Sequence, residues 1–147
     1  MANHTGIKRH LTLLPQMLNL SRFTPYAAVV LRLAAGAVFL NHGRMKLHDF
    51  PMVVGMVHGI GFPFATVFAG ILTAVETLGA ACVLLGFYTR IWALMMAVDM
   101  TVAITTVLLP HGQTPELEGM LLAASLALVA LGDGPVSIGQ AMKKGSS

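Results

Sequence analysis

Three charged side chains lie within apolar parts of the sequence, where little water is expected to solvate them. Arg32, Glu76 and Asp99 each stand near the middle of a long apolar run. A charge at the centre of a bilayer costs roughly 2.5–3.5 kcal/mol on insertion scales, so such residues usually face the bundle interior and pair. If all three were ionised they would sum to one negative charge, and an unpaired carboxylate in a low-dielectric interior takes up a proton. We therefore predict an intramembrane charge cluster in which Arg32 pairs with Glu76 and Asp99 holds a proton.

This cluster has two interpretations. It could be a structural clamp that fixes the packing of the first three helices, or it could handle protons or bind a ligand. The residue types fit both, because an arginine–carboxylate pair is geometrically specific whether or not it does chemistry.

A second polar group is predicted at the outer rim of the membrane. His42 and Lys46 are four residues apart and share a helix face, while His111 follows the third apolar run and Glu118 comes shortly after it. Histidine and lysine could hydrogen-bond a quinone carbonyl, histidine with glutamate could hold a transition metal, and paired histidines could ligate haem. No diagnostic ligand spacing is present, so we predict no metal site and no covalently attached cofactor. Quinone, and after it haem or a metal, stay open as ligands. The catalytic residues, if there are any, stay unknown.

The composition says what kind of protein must position these groups. Among 147 residues, 56% are hydrophobic and only 10% are charged, and the mean hydropathy is +0.77. Soluble domains carry about 25% charged residues, and disordered chains need still more polarity. A single cysteine, Cys82, excludes an internal disulfide and a cysteine-rich zinc site. The sequence therefore indicates a small integral membrane protein.

Four apolar runs are bounded by turn residues, and each is close to the 20 residues that a spanning helix needs. They are Pro25–His42, Pro63–Gly86, Arg90–Leu109 and Pro115–Leu131. Only helices and closed barrels satisfy their backbone in lipid, so we predict an all-α integral membrane protein with four transmembrane helices in a bundle. Small residues near the central charges are expected to form the helix contact faces: Gly36, Gly43, Ala69, Thr73, Gly79 and Ala80.

The remaining segments complete the predicted organisation. Residues 1–24 are predicted to be a cytoplasmic or interfacial amphipathic segment, because their apolar residues recur at helical spacing. Residues 25–139 form the predicted membrane domain, within which Pro51–His58 is expected to be a short interfacial helix between helices one and two. Residues 140–147 are predicted to be a cytoplasmic tail.

The basic residues predict the orientation of the chain. Six lie on one side, either outside the spans or at the first residue of one: Lys8, Arg9, Arg22, Arg90, Lys143 and Lys144. Only Arg44 and Lys46 lie outside the spans on the other side. By the positive-inside rule both termini are cytoplasmic. The basic residues form no stripe of the kind that would bind nucleic acid, so we expect no nucleic-acid partner.

Several motifs resemble the DoxX family, in order and over about residues 26–139. They are Leu31-Arg32-Leu33 with Gly36, Phe39-Leu40, His42-Gly43 and Lys46; Gly61-Phe62-Pro63; Glu76 with Gly79; Gly86-Phe87-Tyr88-Thr89-Arg90; and Glu118 with Gly132-Asp133-Gly134-Pro135 and Ser137-Ile138. The resemblance implies four membrane helices with cytoplasmic termini in a bacterial or archaeal inner membrane. It also implies a set of polar motif residues: Arg32, His42, Lys46, Glu76, Arg90 and Glu118. Asp99 departs from this pattern.

Proteins of this family include subunits named for a thiosulfate:quinone oxidoreductase or a terminal quinol oxidase, and membrane partners of redox enzymes. The resemblance therefore implies a small inner-membrane subunit of a larger quinone-linked redox or respiratory complex, and an enzyme only as part of that complex. One alternative is a stand-alone binder or oxidoreductase for a quinone-type ligand. Another is a membrane chaperone or scaffold with a purely structural charge cluster, as distant eukaryotic relatives suggest. The expected partners are the lipid bilayer and either a larger complex or further copies of the chain.

Overall fold

The computed structural model describes residues 20–145, and throughout this range every regular element is helical. A 3₁₀ turn, Leu20–Tyr26, leads into α1 (Ala27–His48). The later helices are α2 (Phe50–Gly59), α3 (Ala65–Leu85), α4 (Thr89–His111), α5 (Glu116–Leu131) and α6 (Ile138–Gly145). Most of the predicted amphipathic segment, residues 1–19, lies outside the described residues.

Three of these helices are long and apolar enough to cross a bilayer: Phe23–His48, Ala65–Leu85 and Thr89–His111. They confirm the first three predicted spans, with one correction. The first was predicted to end at His42, but α1 continues to His48. Polar residues such as Arg44 and Lys46 have good helix propensity, so the helix continues beyond the apolar run.

The fourth span stays a prediction. Helix α5 is present with 16 residues, which at 1.5 Å per residue gives about 24 Å, short of the roughly 30 Å of a hydrocarbon core. Its first turn also carries Glu116 and Glu118. It packs along α4 and also touches α1, so it belongs to the bundle whatever its depth in the membrane.

Small residues form the faces along which α1, α3 and α4 meet. All six predicted contact residues are buried: Gly36, Gly43, Ala69, Thr73, Gly79 and Ala80. The large core side chains Phe39, Met96 and Leu128 come from α1, α4 and α5. Close approach of the backbones follows, as expected where helices associate through small residues.

The short helix predicted at Pro51–His58 is confirmed as α2. It packs on the beginning of α3 through Val53, Val57 and Ala69. Asp49 caps its N-terminus by accepting a hydrogen bond from the backbone N–H of Met52 at 3.2 Å, an interaction typical of helix N-terminal capping. Helix α2 therefore covers the end of the bundle at which α1 finishes and α3 starts.

The predicted tail also has structure, because α6 runs through its first residues to Gly145.

Candidate functional site

Arg32 is buried and binds backbone carbonyls instead of a glutamate. Its Nε donates to the carbonyl of Val83 at 2.9 Å, and its Nη2 donates to Leu84 at 3.2 Å and to Val136 at 2.9 Å. Its Nη1 donates to the carbonyl of Asp133, whose carboxylate is also the negative charge that acts on the guanidinium. Because the last carbonyls of a helix lack partners within it, Arg32 serves as a cap for the C-terminal end of α3.

The predicted Arg32–Glu76 pair is therefore wrong, and the register of the two helices gives the reason. Arg32 is level with Val83, and seven residues separate Val83 from Glu76 along α3, or about 10 Å of helix at 1.5 Å per residue. Helical side chains also tilt toward the N-terminus of their own helix. The tilt carries the guanidinium toward the end of α3 and away from Glu76.

Glu76 instead pairs with Lys46, from the other end of α1. Lys46 Nζ lies 2.7 Å from Glu76 Oε1, and the side chain of the glutamate is 1% exposed against 21% for the lysine. The same tilt that moves Arg32 away directs Lys46 back toward the middle of the bundle. The sequence placed Lys46 at the rim only. The signal that could have placed it inside is its position three residues after Gly43, on the helix contact face.

Asp99 completes this group, and we call Lys46, Glu76 and Asp99 the buried cluster. The Asp99 carboxyl faces both the Glu76 carboxyl and the Lys46 ammonium and is within hydrogen-bonding reach of Glu76. Glu76 Oε2 and Asp99 Oδ2 are buried, and no donor among residues 20–145 hydrogen-bonds them. Two carboxyl groups can bond each other only through a proton, so this geometry is suited to one shared proton and one lysine charge.

Local helix geometry and a glycine position Glu76. It lies in a π-helical turn, Val75–Gly79, inside α3, and such turns occur frequently at functional sites. Opposite it, a Cβ on Gly43 would meet Glu76 C at 2.7 Å and Glu76 O at 2.8 Å. Only glycine lets α1 approach α3 this closely, and this approach brings Lys46 within reach of the carboxyl.

A cleft of about 400 Å³ lies between α2, α3 and α4, with Asp99 in its wall. We call it the membrane cleft. It is otherwise lined by apolar side chains, namely Val57, Ile60, Phe62, Phe68, Ile71, Leu72, Val75, Leu94, Met95, Val98 and Val102. Ile71, Leu94 and Val98 are more than half exposed and lie in spans, so the cleft opens on the lipid-facing surface. Few polar groups in an apolar pocket of this size are typical of small-molecule sites.

A second cleft, of about 420 Å³, lies at the end of α1 and is called here the rim cleft. Its lining contains His42, Met45, Lys46, His48, Asp49 and Met52. The structure thus brings together two of the predicted rim residues, His42 and Lys46. The other two do not line this cleft: His111 is exposed with its Nδ1 2.6 Å from the carbonyl of Val107, and Glu118 is half-buried on α5.

Two members of the buried cluster therefore also line clefts. Lys46 lines the rim cleft while its ammonium group binds Glu76, and Asp99 lines the membrane cleft. Within residues 20–145 no group of three or more histidine, cysteine or acidic side chains could hold a metal ion.

The helices and the apolar surfaces define the chain as an all-helical membrane protein. Comparison with known families then matches residues 14–109 to DoxX. The chain belongs to the DoxX family, as the motifs of the sequence suggested.

Three relatives are similar to parts of the chain. It is 33% identical over 88 residues to an uncharacterised protein of Haemophilus influenzae, covering 59% of this chain and 63% of the relative. It is 37% identical over 81 residues to an uncharacterised membrane protein of Mycobacterium tuberculosis, covering 54% of this chain and 50% of that one. The chain thus spans between half and two thirds of these two proteins. A Bacillus subtilis protein named "Putative oxidoreductase CatD" is 30% identical over 106 residues, or 71% of this chain and 78% of its own. No solved structure matches.

Proposed function

We propose that this chain is the membrane component of a quinone-linked redox system, and that the membrane cleft binds the quinone ring beside Asp99. The observation that carries the proposal is a cleft of about 400 Å³, open on the lipid side, whose apolar wall is interrupted by one ionisable group. A quinone dissolves in the bilayer and has a polar ring, so it needs such an entrance and such a partner. The name of the Bacillus subtilis relative supports a redox role.

The residues present fit this ligand. When protonated, the Asp99 carboxyl can donate a hydrogen bond to a quinone oxygen, and when ionised it can accept one from a quinol hydroxyl. The unbonded Asp99 Oδ2 shows that the protein itself leaves this carboxyl incompletely satisfied. Apolar side chains such as Leu94 and Val98 would enclose the ring and exclude water. A bound quinone supplies two-electron, two-proton redox chemistry.

The electrons that reduce the quinone have to come from another protein. The side chains that store an electron pair are chiefly pairs of cysteines, and this chain has one cysteine. We therefore propose that it works as a subunit beside a larger redox protein, in a bacterial or archaeal inner membrane and with both termini in the cytoplasm. The alternative of a stand-alone quinone binder requires the same cleft and differs only in the absence of that partner.

One observation speaks for the scaffold alternative, and it concerns Arg32 alone. This side chain donates only to backbone carbonyls among the described residues, so the clamp interpretation fits it well. A clamp satisfies its polar atoms, however, and apart from the contacts within the buried cluster no donor among residues 20–145 bonds Glu76 Oε2 or Asp99 Oδ2. We therefore separate a structural arginine from a functional pair of carboxyl groups.

The binding test uses the single tryptophan of the chain, Trp92, which packs against Gly79 one helical turn from Glu76. Decylubiquinone added to the protein in lipid nanodiscs should quench its fluorescence saturably. Loss of one hydrogen bond of about 1.4 kcal/mol weakens binding about tenfold, so Asp99→Leu should raise the Kd by that factor. Glu116→Gln, which alters an exposed carboxyl outside the cleft, should leave the Kd unchanged.

Decylbenzene, which carries the same tail without the quinone ring, should compete weakly. Equal competition by decylbenzene, or an unchanged Kd in Asp99→Leu, would refute the placement of the ring beside Asp99. The subunit proposal is tested by purification from the native host in mild detergent. A stoichiometric partner that carries a flavin, haem or iron–sulfur group supports the proposal, and a monodisperse homo-oligomer without one contradicts it.

A further inference from the structure

The buried cluster connects two clefts that are otherwise separate. Asp99 lines the membrane cleft, Lys46 lines the rim cleft, and Glu76 stands between them, fully buried. We propose that these three side chains form a proton path between a ligand in the membrane cleft and water in the rim cleft. The proposal deepens the proposed function, but it needs only a cleft ligand with a dissociable proton, of which a quinol is one.

The contacts support each step of this path. Asp99 and Glu76 face each other within hydrogen-bonding reach, and Lys46 Nζ lies 2.7 Å from Glu76 Oε1. Glu76 is faced by ionisable side chains of two neighbouring helices: α1 contributes Lys46 and α4 contributes Asp99. In the rim cleft, His42, His48 and Asp49 lie around the exposed part of Lys46. They are the groups that would hold water and exchange protons with it.

The proton balance is simple. At rest the carboxyl groups of Glu76 and Asp99 share one proton. Asp99 takes a second proton from a ligand hydroxyl while the shared proton moves onto Glu76. Lys46 releases one of its protons to water in the rim cleft and takes the proton of Glu76 in return. One proton has then moved from the ligand to the rim, and the cluster has the charge it started with. Proton uptake by the ligand runs the same steps in reverse.

The chain offers a variant that separates this path from a purely structural ion pair. Arginine keeps a positive charge and can bind Glu76, but its guanidinium does not lose a proton in proteins. Lys46→Arg should therefore keep the ion pair and stop the transfer. Lys46→Met removes both, so the two variants together distinguish attraction from proton exchange.

The experiment is infrared spectroscopy of the protein in lipid nanodiscs without any added ligand. The chain has six carboxyl side chains, and Asp49, Glu116, Glu118 and Asp133 lie outside the buried cluster. We expect the C=O stretching band of one protonated carboxyl, which is lost in Asp99→Leu and kept in Glu116→Gln. After transfer to D₂O the band should shift down quickly in the unmodified protein and much more slowly in Lys46→Arg.

Equal shift rates in the unmodified protein and in Lys46→Arg would overturn the path through Lys46. Absence of the band from the unmodified protein would overturn the shared proton itself. If Lys46→Arg unfolds, as judged by Trp92 fluorescence, Glu76→Gln provides the second arm: it should remove the band or leave it exchanging slowly. Fast exchange in that variant would contradict the role of Glu76. Because no quinone is present, these results are independent of the quinone-binding test.

Discussion

Arg32→Met is the substitution that best tests how the bundle is held together. It removes four hydrogen bonds to carbonyls on two separate segments, near residues 83–84 and residues 133–136. The bond to Val83 is buried and the other three are part-buried. A hydrogen bond from a charged donor contributes about 1.5–3 kcal/mol, and after the substitution the carbonyl of Val83 still accepts from the N–H of Gly86 at 3.1 Å. Methionine avoids the cost of burying a guanidinium charge, which offsets part of the loss. We therefore expect the free energy of unfolding to fall by about 2–4 kcal/mol, less than the sum of the four bonds.

Arg90→Met is the matched control. Arg90 is an exposed arginine at the same end of the bundle, and it donates one hydrogen bond, to the carbonyl of Val129 at 3.0 Å. Its loss should cost about 0.5–1.5 kcal/mol. Both variants can be unfolded in mixed micelles with sodium dodecyl sulfate while Trp92 fluorescence is followed. If Arg32→Met were no less stable than Arg90→Met, the cap on α3 would not be a structural clamp.

Two further predictions concern single contacts. Gly43→Ala should push α1 away from the backbone of Glu76 and lower the unfolding free energy by about 1–3 kcal/mol. In the control Gly55→Ala the new methyl group meets nothing within 4 Å, and the change should stabilise the exposed side of α2 by up to about 1 kcal/mol. Comparable effects in the two variants would contradict the close approach of α1 and α3. Asp133 Oδ1 accepts a hydrogen bond from the backbone N–H of Thr89 at 2.9 Å. Asp133→Ala should therefore lower the unfolding free energy by about 1 kcal/mol, as loss of other helix caps does, and Asp133→Asn should lower it less because the amide oxygen still accepts. The thermal midpoints of the purified variants measure both effects.

The helices were readable from the sequence because lipid imposes strict requirements. Backbone groups in a bilayer must be satisfied within the helix, which makes apolar length a strong signal, and small residues such as Gly43 and Gly79 mark where helices touch. These two rules predicted the first three spans and their contact faces.

The pairing of the charges could not be predicted in the same way. The sequence indicates that Arg32 and Glu76 are both buried, but their relative positions along the bundle axis depend on the register of α1 against α3. A shift of a few residues exchanges one partner for another. Side-chain tilt could have favoured Lys46 over Arg32 as the partner of Glu76, since only Lys46 points from the end of α1 back into the bundle.

The membrane cleft could not be predicted from the sequence. Its wall combines residues of α2, α3 and α4, and none of them carries a motif apart from the turn at Phe62. The short helix α2 was predicted, but its packing on α3 was not. A cleft is a property of that packing, so Asp99 could be recognised as a buried carboxyl before it could be recognised as the polar group of a cleft.

The bonds of Arg32 also bear on how the chain is made. Two of its acceptors lie 51 and 52 residues further along, and the other two lie 101 and 104 residues further along. At a synthesis rate of roughly 5–20 residues per second, the arginine enters the bilayer about 5–20 seconds before its last partners leave the ribosome. The first helix is thus inserted with an unsatisfied charge, and only completion of the Asp133–Val136 segment closes the set. A nascent chain that stalls earlier would display a half-bonded arginine within the membrane, which a quality-control protease could recognise.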